Sequence, residues 1–305
     1  MLSSIRFPAL PAAAVLAASL ALPGLAQAFT LTTARGPMEI NKTPERVVVF
    51  DMAALDTIEA LGVEPVGVTD NTYVTYIKRG DAETVGTLFE PNMEAVAALQ
   101  PDLIIIGGRS AKQFDALSRI APVADMTMPT DVAAGAEERL KEYGALFGKE
   151  DKAAELAQAY EAKLKEVEAA AEGKGKALIV MANGPKLSAY GRGSRFGWLH
   201  DTIGLEEAHP GLEVAGHGDA ISMEFIAETD PDWLIVVDRA VAIGREAEDG
   251  TAQATLDNPL VAGTKAAKAG QVVYLSPAPL YIAGGGYQQM MGTMDEILAA
   301  FRKGS

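Results

Sequence analysis

Residues 92–109 (NMEAVAALQPDLIIIGGR) and 222–239 (SMEFIAETDPDWLIVVDR) align without a gap at an offset of 130. Seven of the eighteen positions are identical: Met93/Met223, Glu94/Glu224, Ala97/Ala227, Pro101/Pro231, Asp102/Asp232, Ile105/Ile235 and Arg109/Arg239. Each copy reads as a short helix, a Pro-Asp turn, a buried strand and an arginine just past the strand. A Pro-Asp before a strand is common, but an arginine held in register with six other identities points to duplication. The same offset places Val47–Phe50 on Ala177–Val180. The chain therefore reads as two similar αβ units.

The remaining apolar runs fit that frame. Val47–Phe50, Leu103–Ile106, Ala177–Met181, Leu234–Val237 and Val272–Leu275 are four or five residues long and β-branched. Such runs are the mark of strands buried on both faces of a parallel sheet. Helical stretches separate them, such as Leu55–Leu61 and Met93–Leu99, so the expected class is α/β. Glu150–Glu172, between the copies, contains no Gly or Pro and is dominated by strong helix formers. Leu156, Tyr160, Leu164 and Val167 share one face, Glu161 and Lys165 form an i,i+4 pair, and Gly173 follows as a stop. A helix of this length spans roughly 35 Å, enough to join two lobes. The expected organisation is a leader at 1–28, an N-terminal α/β lobe at 29–149, a connecting helix at 150–173 and a C-terminal α/β lobe at 174–305.

The leader is read from residues 1–28. They hold one charge, Arg6, then an apolar run from Ala9 to Leu25 broken by Pro11, Pro23 and Gly24, and they end Ala26-Gln27-Ala28. A positive start, an apolar middle and an A-x-A site form a secretory signal peptide. The run is too short and too interrupted for a membrane anchor. The mature protein is expected to be exported and, with no cysteine after the cleavage point, to carry no lipid on cysteine.

Composition removes whole classes of chemistry. There are no cysteines, so disulfides, thiolate zinc sites, iron–sulfur clusters and cysteine nucleophiles are excluded. The net charge of −15 argues against nucleic acid or anionic membrane as a bulk partner. Its histidines, His200, His209 and His217, do not have zinc-site spacing. Gly284-Gly285-Gly286 lacks the third glycine of G-x-G-x-x-G, no phosphate-binding G-x-x-x-x-G-K-[ST] occurs, and Ser194 is not in a G-x-S-x-G elbow. Without a nucleophile and its base, the reading is a binding protein, not an enzyme.

In open α/β sheets ligands bind beyond the carboxyl ends of the strands. Those positions hold Asp51, Gly107-Gly108-Arg109, Asn183, Asp238-Arg239 and, a few residues past the last strand, Tyr281; the turn after the third run carries Arg192, Ser194 and Arg195. Arginine offers planar, permanently charged recognition of anionic oxygen. Any one of these arginines alone suits a solvated surface. The matched pair Arg109/Arg239 in so acidic a chain favours a ligand. His217, between Gly216 and Gly218, suits a ligand-facing loop.

In this order the segments resemble a known family: Thr43–Asp51, Ile58–Val63, Val85–Glu94, Pro101–Arg109, Ser194–Gly197, Gly216–Gly218, Val236–Arg239 and Tyr281–Gly284. They are similar to the periplasmic substrate-binding proteins of iron–siderophore ABC transporters, a cluster that includes cobalamin and haem binders, and most of all to its ferric catecholate branch. The resemblance implies two Rossmann-like α/β lobes with parallel sheets, joined by a single long backbone helix, with the ligand between them and only small closure on binding. It implies that Arg109 from one lobe and Arg195 and Arg239 from the other surround an anionic ferric siderophore; Arg192 and Asn183, read from their strand-end positions, are further ligand-binding candidates. It implies that His217 and Tyr281 complete the iron coordination when the siderophore supplies only four oxygens, Tyr287 being the other tyrosine of the final loop. Fe³⁺ would be carried as a chelate, with no intrinsic cofactor. One glutamate per lobe, matching Glu94 and Glu224, would dock on permease arginines at the inner membrane, the carrier acting as a monomer. The alternatives are a haem carrier, a hydroxamate or cobalamin carrier and, least of all, an enzyme with Asp51 or Asp238 as base.

Overall fold

The computed structural model describes residues 29–213 and 216–303. The expected leader lies outside these residues. Strands β1 (Phe29–Thr33) and β2 (Gly36–Ile40) form an antiparallel hairpin against the helix Val132–Leu146. The first sheet contains β3 (Val47–Val49), β4 (Gly67–Val68), β5 (Glu83–Thr84), β6 (Leu103–Ile106) and β7 (Val123–Asp125), ordered β5-β4-β3-β6-β7 and parallel throughout. The second contains β8 (Lys176–Asn183), β9 (Lys186–Tyr190), β10 (Glu206–Glu207), β11 (Asp219–Ile221), β12 (Trp233–Asp238) and β13 (Val272–Tyr274). Its order is β11-β9-β8-β12-β13, with β10 beside the start of β8.

The second sheet is mixed. Strands β8, β10, β12 and β13 are parallel, as the buried runs require, but β9 runs antiparallel to both its neighbours, β8 and β11. The cause is local. Asn183 pairs with Lys186, and Gly184 at φ 58° followed by Pro185 turns the chain back in a two-residue loop. Glycine is the residue that takes positive φ at that position without steric cost.

The repeat is exact in its local devices. Asn92 and Ser222 cap their helices by accepting from Ala95 N and Phe225 N. Gln100 and Asp230, 130 residues apart, are both left-handed, at φ 46° and 44°. The Asp102 carboxylate accepts from Arg46 N at 2.9 Å, and Asp232 accepts from Lys176 N at 2.8 Å. The strand pairings Val47↔Leu103 and Ala177↔Trp233 differ by the same 130.

The 22-residue helix Glu150–Ala171 joins the sheets. The 17-residue helix Tyr287–Lys303, inside the span 174–305, returns to pack on that helix and on Met52–Ala60 next to the first sheet. Met290, Met294, Ile297 and Phe301 of this last helix share one core with Val49 and Ile105 of the first sheet and with Ile179 and Ile235 of the second. Asp56, fully buried on Met52–Ala60, accepts from Gln288 N at 2.7 Å, Gln289 N at 3.1 Å and the Tyr76 hydroxyl at 2.6 Å. A carboxylate near one sheet thus caps the helix that follows the other. Burial pushes the Asp56 carboxyl up to about 7, against the pull of these donors. A shared core and this cap oppose wide hinge opening. None of the described helices is long and apolar enough to cross a membrane.

Candidate functional site

A cleft of about 720 Å³ lies between the carboxyl ends of the two sheets. The loops after β3 and β6 bring Asp51 and Arg109; those after β9 and β12 bring Arg195 and Arg239; the segment after β13 brings Tyr281. Phe89, Met128, Phe196 and Trp198 add an apolar wall.

Tyr281 organises the cations. Arg109 crosses from the first lobe and donates to the Tyr281 carbonyl at 2.6 Å and the Ile282 carbonyl at 3.1 Å. Arg195 donates to the same Tyr281 carbonyl. Arg239 donates through Nε to the Tyr281 hydroxyl at 2.9 Å and through Nη1 to Asn183 Oδ1 at 2.8 Å. The three guanidinium carbons lie 5.4, 4.3 and 5.6 Å from the centre of the Tyr281 ring. Rings attract cations at such distances, so one side chain holds three like charges together. Burial alone would raise the Tyr281 hydroxyl, but the bond from Arg239 and the charges of Arg239, Arg195 and Arg109 hold it below the usual tyrosine range. Burial, and then the charge of Arg195, lowers Arg109.

Of the residues expected from sequence, Arg109, Arg195, Arg239 and Tyr281 meet in the cleft. Asn183 stands behind them and positions Arg239. Arg192 is not brought to the cleft wall: its guanidinium faces Asp201 at 3.3 Å and Glu207 at 3.6 Å, and it donates to the His200 carbonyl at 2.9 Å. Its partners follow it by nine and fifteen residues, so only the fold reveals them. The side chain of His217 is exposed; Gly216 beside it lines the cleft, and the His217 carbonyl accepts from the Tyr190 hydroxyl at 2.9 Å. Tyr287 begins the last helix and joins the core, with its N–H on Thr57 Oγ1. His200 is buried against the Leu205 carbonyl, and burial lowers it. No group of three or more His, Cys, Asp or Glu side chains fit to hold a metal occurs among the described residues.

Asp238 is fixed. Its two oxygens accept from Val241 N at 3.0 Å and Ala252 N at 2.6 Å. Asp51 caps the helix Met52–Ala60, accepting from Ala54 N at 3.2 Å. Burial raises its carboxyl, with the Ala54 N–H and the Arg109 charge pulling back. Glu94 and Glu224 are exposed in the first turns of equivalent helices. The aromatic wall was missed in the sequence. Phe89 and Phe196 lie within the segments that carry the family resemblance, but nothing in the sequence marks them as cleft residues; Phe89 is 56% exposed in the fold.

The periplasmic binding protein family model matches residues 47–279. The chain is 34% identical to the petrobactin-binding protein YclQ of Bacillus subtilis over 272 residues, 87% of this chain and 85% of that protein. It is 30% identical to the ferric-anguibactin-binding protein FatB of Vibrio anguillarum over 278 residues, 88% of this chain and 85% of that one. The crystal structure of YclQ superposes with a TM-score of 0.84 at 32% identity, covering 90% of this chain and 99% of the other. The periplasmic catecholate-siderophore binding protein VctP of Vibrio cholerae superposes with a TM-score of 0.74 at 31% identity, covering 90% and 98%.

Proposed function

The chain belongs to the periplasmic binding protein family, and from that premise we propose that it captures an anionic ferric siderophore of catecholate type and delivers it to an ABC permease. The observation that carries this reading is the convergence of Arg109, Arg195 and Arg239 on Tyr281. An arginine about 4 Å from an anionic oxygen gains about 4 kcal/mol at an effective dielectric near 20, before desolvation is subtracted. Three such contacts are compatible with submicromolar binding, which needs roughly 8 kcal/mol. Haem, with two propionates, would use fewer of these charges. The names of YclQ, FatB and VctP support a ferric siderophore as cargo.

Iron is then cargo, and its hard-acid character suits catecholate and phenolate oxygen. On this reading Tyr281, whose hydroxyl titrates low, and His217 at the rim complete a tetradentate chelate. Arg192 contributes long-range charge only. Lobes at 29–149 and 174–305, joined by 150–173, act as one monomer after export, the leader being cleaved near Ala28 and no lipid attached. Glu94 and Glu224 meet the permease. Reversing both charges should abolish uptake and leave siderophore affinity unchanged; unchanged uptake would remove that role.

The function is tested by tryptophan fluorescence with a ferric tetradentate catecholate, haemin and a ferric hydroxamate. Trp198 lines the cleft and reports binding, whereas Trp233 is buried with its Nε1 on the Lys174 carbonyl. Saturable quenching by the catecholate alone, weakened by Arg109→Ala, is expected. Silence with the catecholate and a response to haemin or the hydroxamate would overturn the ligand.

A further inference from the structure

The cleft holds an acceptor as well as cations. Asp51 lines it from the end of β3. Among the described residues its only side-chain bonds are to the start of its own helix: the long 3.2 Å bond from Ala54 N to one carboxylate oxygen, with the Ala53 N–H beside it. The other oxygen lies against Gly107, where a Cβ would stand 2.4 Å from Oδ1. Neither nearby guanidinium closes on it. Arg109 directs both terminal nitrogens at the carbonyls of Tyr281 and Ile282. Arg139 directs Nη1 at the Thr32 carbonyl and Glu142, and its buried Nε has no partner among the described residues. Among the described residues Asp51 makes no ion pair. Asp238, the helix-capping aspartate at the end of β12 in the other lobe, has a backbone N–H on each oxygen. Asp51 therefore keeps acceptor capacity turned to the cleft, and burial makes its charge costly without a partner.

A wholly anionic ligand would repel this carboxylate. A ligand with a charged N–H donor would satisfy it while its chelating oxygens meet the arginines. Building on the siderophore reading, we propose that Asp51 is a specificity-determining residue that accepts a hydrogen bond from a protonated amine of the chelate. The preferred cargo is then a ferric chelate that is anionic at its iron-binding end and cationic in its linker.

The test uses two ferric bis-catecholates with identical chelating arms. One carries a secondary amine in the linker, protonated at neutral pH; in the other the amine is acetylated. Both are titrated against the mature protein, Asp51→Asn and Asp51→Ser. Asn and Ser both serve as helix N-caps, and the ratio of the two affinities within one variant is insensitive to its folded fraction. The wild type should favour the amine chelate by roughly tenfold or more, the size of a hydrogen bond between charged groups. Both variants should bring the ratio to within about twofold and bind the acetylated chelate at least as well as the wild type. An unchanged ratio in the variants, or a wild type that prefers the acetylated chelate, overturns the role of Asp51 and leaves the siderophore reading standing. A wild type that binds neither chelate overturns both.

Discussion

In the first copy of the repeat the chain leaves β6 through Gly107 and Gly108 before Arg109, whereas β12 continues through Val237 and Asp238 up to Arg239. Until that point the copies share cap, left-handed turn residue, aspartate clamp and strand register. Beyond it they diverge. Gly107 makes room for Asp51 from the neighbouring strand. Asp238 instead caps the short helix Arg239–Ala242 and also fastens Ala252. Arg109 crosses to the other lobe and finds backbone carbonyls; Arg239 stays in its lobe and finds Asn183 and the Tyr281 hydroxyl. The two copies thus share the scaffold that places an arginine at a strand end and differ in what surrounds it.

The sharpest way to break the pairing is to remove one arginine at a time. On the siderophore reading Arg109→Ala and Arg239→Ala should each weaken ferric catecholate binding by ten- to a hundredfold, the range of a lost charge-assisted contact of about 1.5–3 kcal/mol. Their spectroscopic effects should differ. Arg239 is the hydrogen-bond donor that lowers the Tyr281 hydroxyl, so Arg239→Ala should raise the pH at which its phenolate absorbance appears by more than Arg109→Ala does. Equal shifts would make the two arginines interchangeable at Tyr281.

The second test makes the copies alike. Gly107→Val writes the residue at 237 into the first copy. Its Cβ would meet the Asp51 carboxylate at 2.4 Å, and overpacking of this kind costs about 1–3 kcal/mol. Gly108→Ala is the control, since a Cβ there meets only Thr127 atoms at 3.6 Å or more. Thermal melts should show a clear loss for Gly107→Val and little for Gly108→Ala.

How much of this was legible follows from the range of each signal. The repeat, the buried strands and the 22-residue helix are local patterns, and the sequence carries them openly. The hairpin β8–β9 is also written locally, in Asn183-Gly184-Pro185, but an expectation of parallel sheets leaves no place for it. Arg192 shows the opposite limit. Nothing near Gly191-Arg192-Gly193 marks it off from Arg195; only the folded positions of Asp201 and Glu207 do. Asp56, 232 residues from Gln288 and 233 from Gln289, was beyond any pattern. The arginines and Tyr281 could be named because strand ends are legible, but a ligand-side role for Tyr281 came only through family resemblance, and its place as their shared partner only from the fold.

The smallest effect separates the two aspartate clamps. Asp102 accepts from Glu45 N at 3.0 Å as well as Arg46 N, and Lys42 stands 3.5 Å away; Asp232 accepts from Lys176 N. At neutral pH Asp102→Asn should therefore cost more stability than Asp232→Asn, by an amount within the roughly 1 kcal/mol of a single hydrogen bond. Acid should reveal the source of the difference. Burial tends to raise the Asp102 carboxyl, but the backbone N–H groups of Glu45 and Arg46 and the Lys42 charge leave it below the usual carboxylate range. A carboxyl lowered in the folded state binds its proton more weakly there than in the unfolded chain. Its stabilisation is complete above the unfolded value, about 4, and drains as pH falls through the folded one. Because the group and Lys42 are both reached by solvent, screening keeps the effect small. Denaturant melts between pH 7 and pH 2 should show the wild type and Asp102→Asn converging below pH 4. A gap that stays constant with pH would mean that the charge of Asp102 is not the source of the difference.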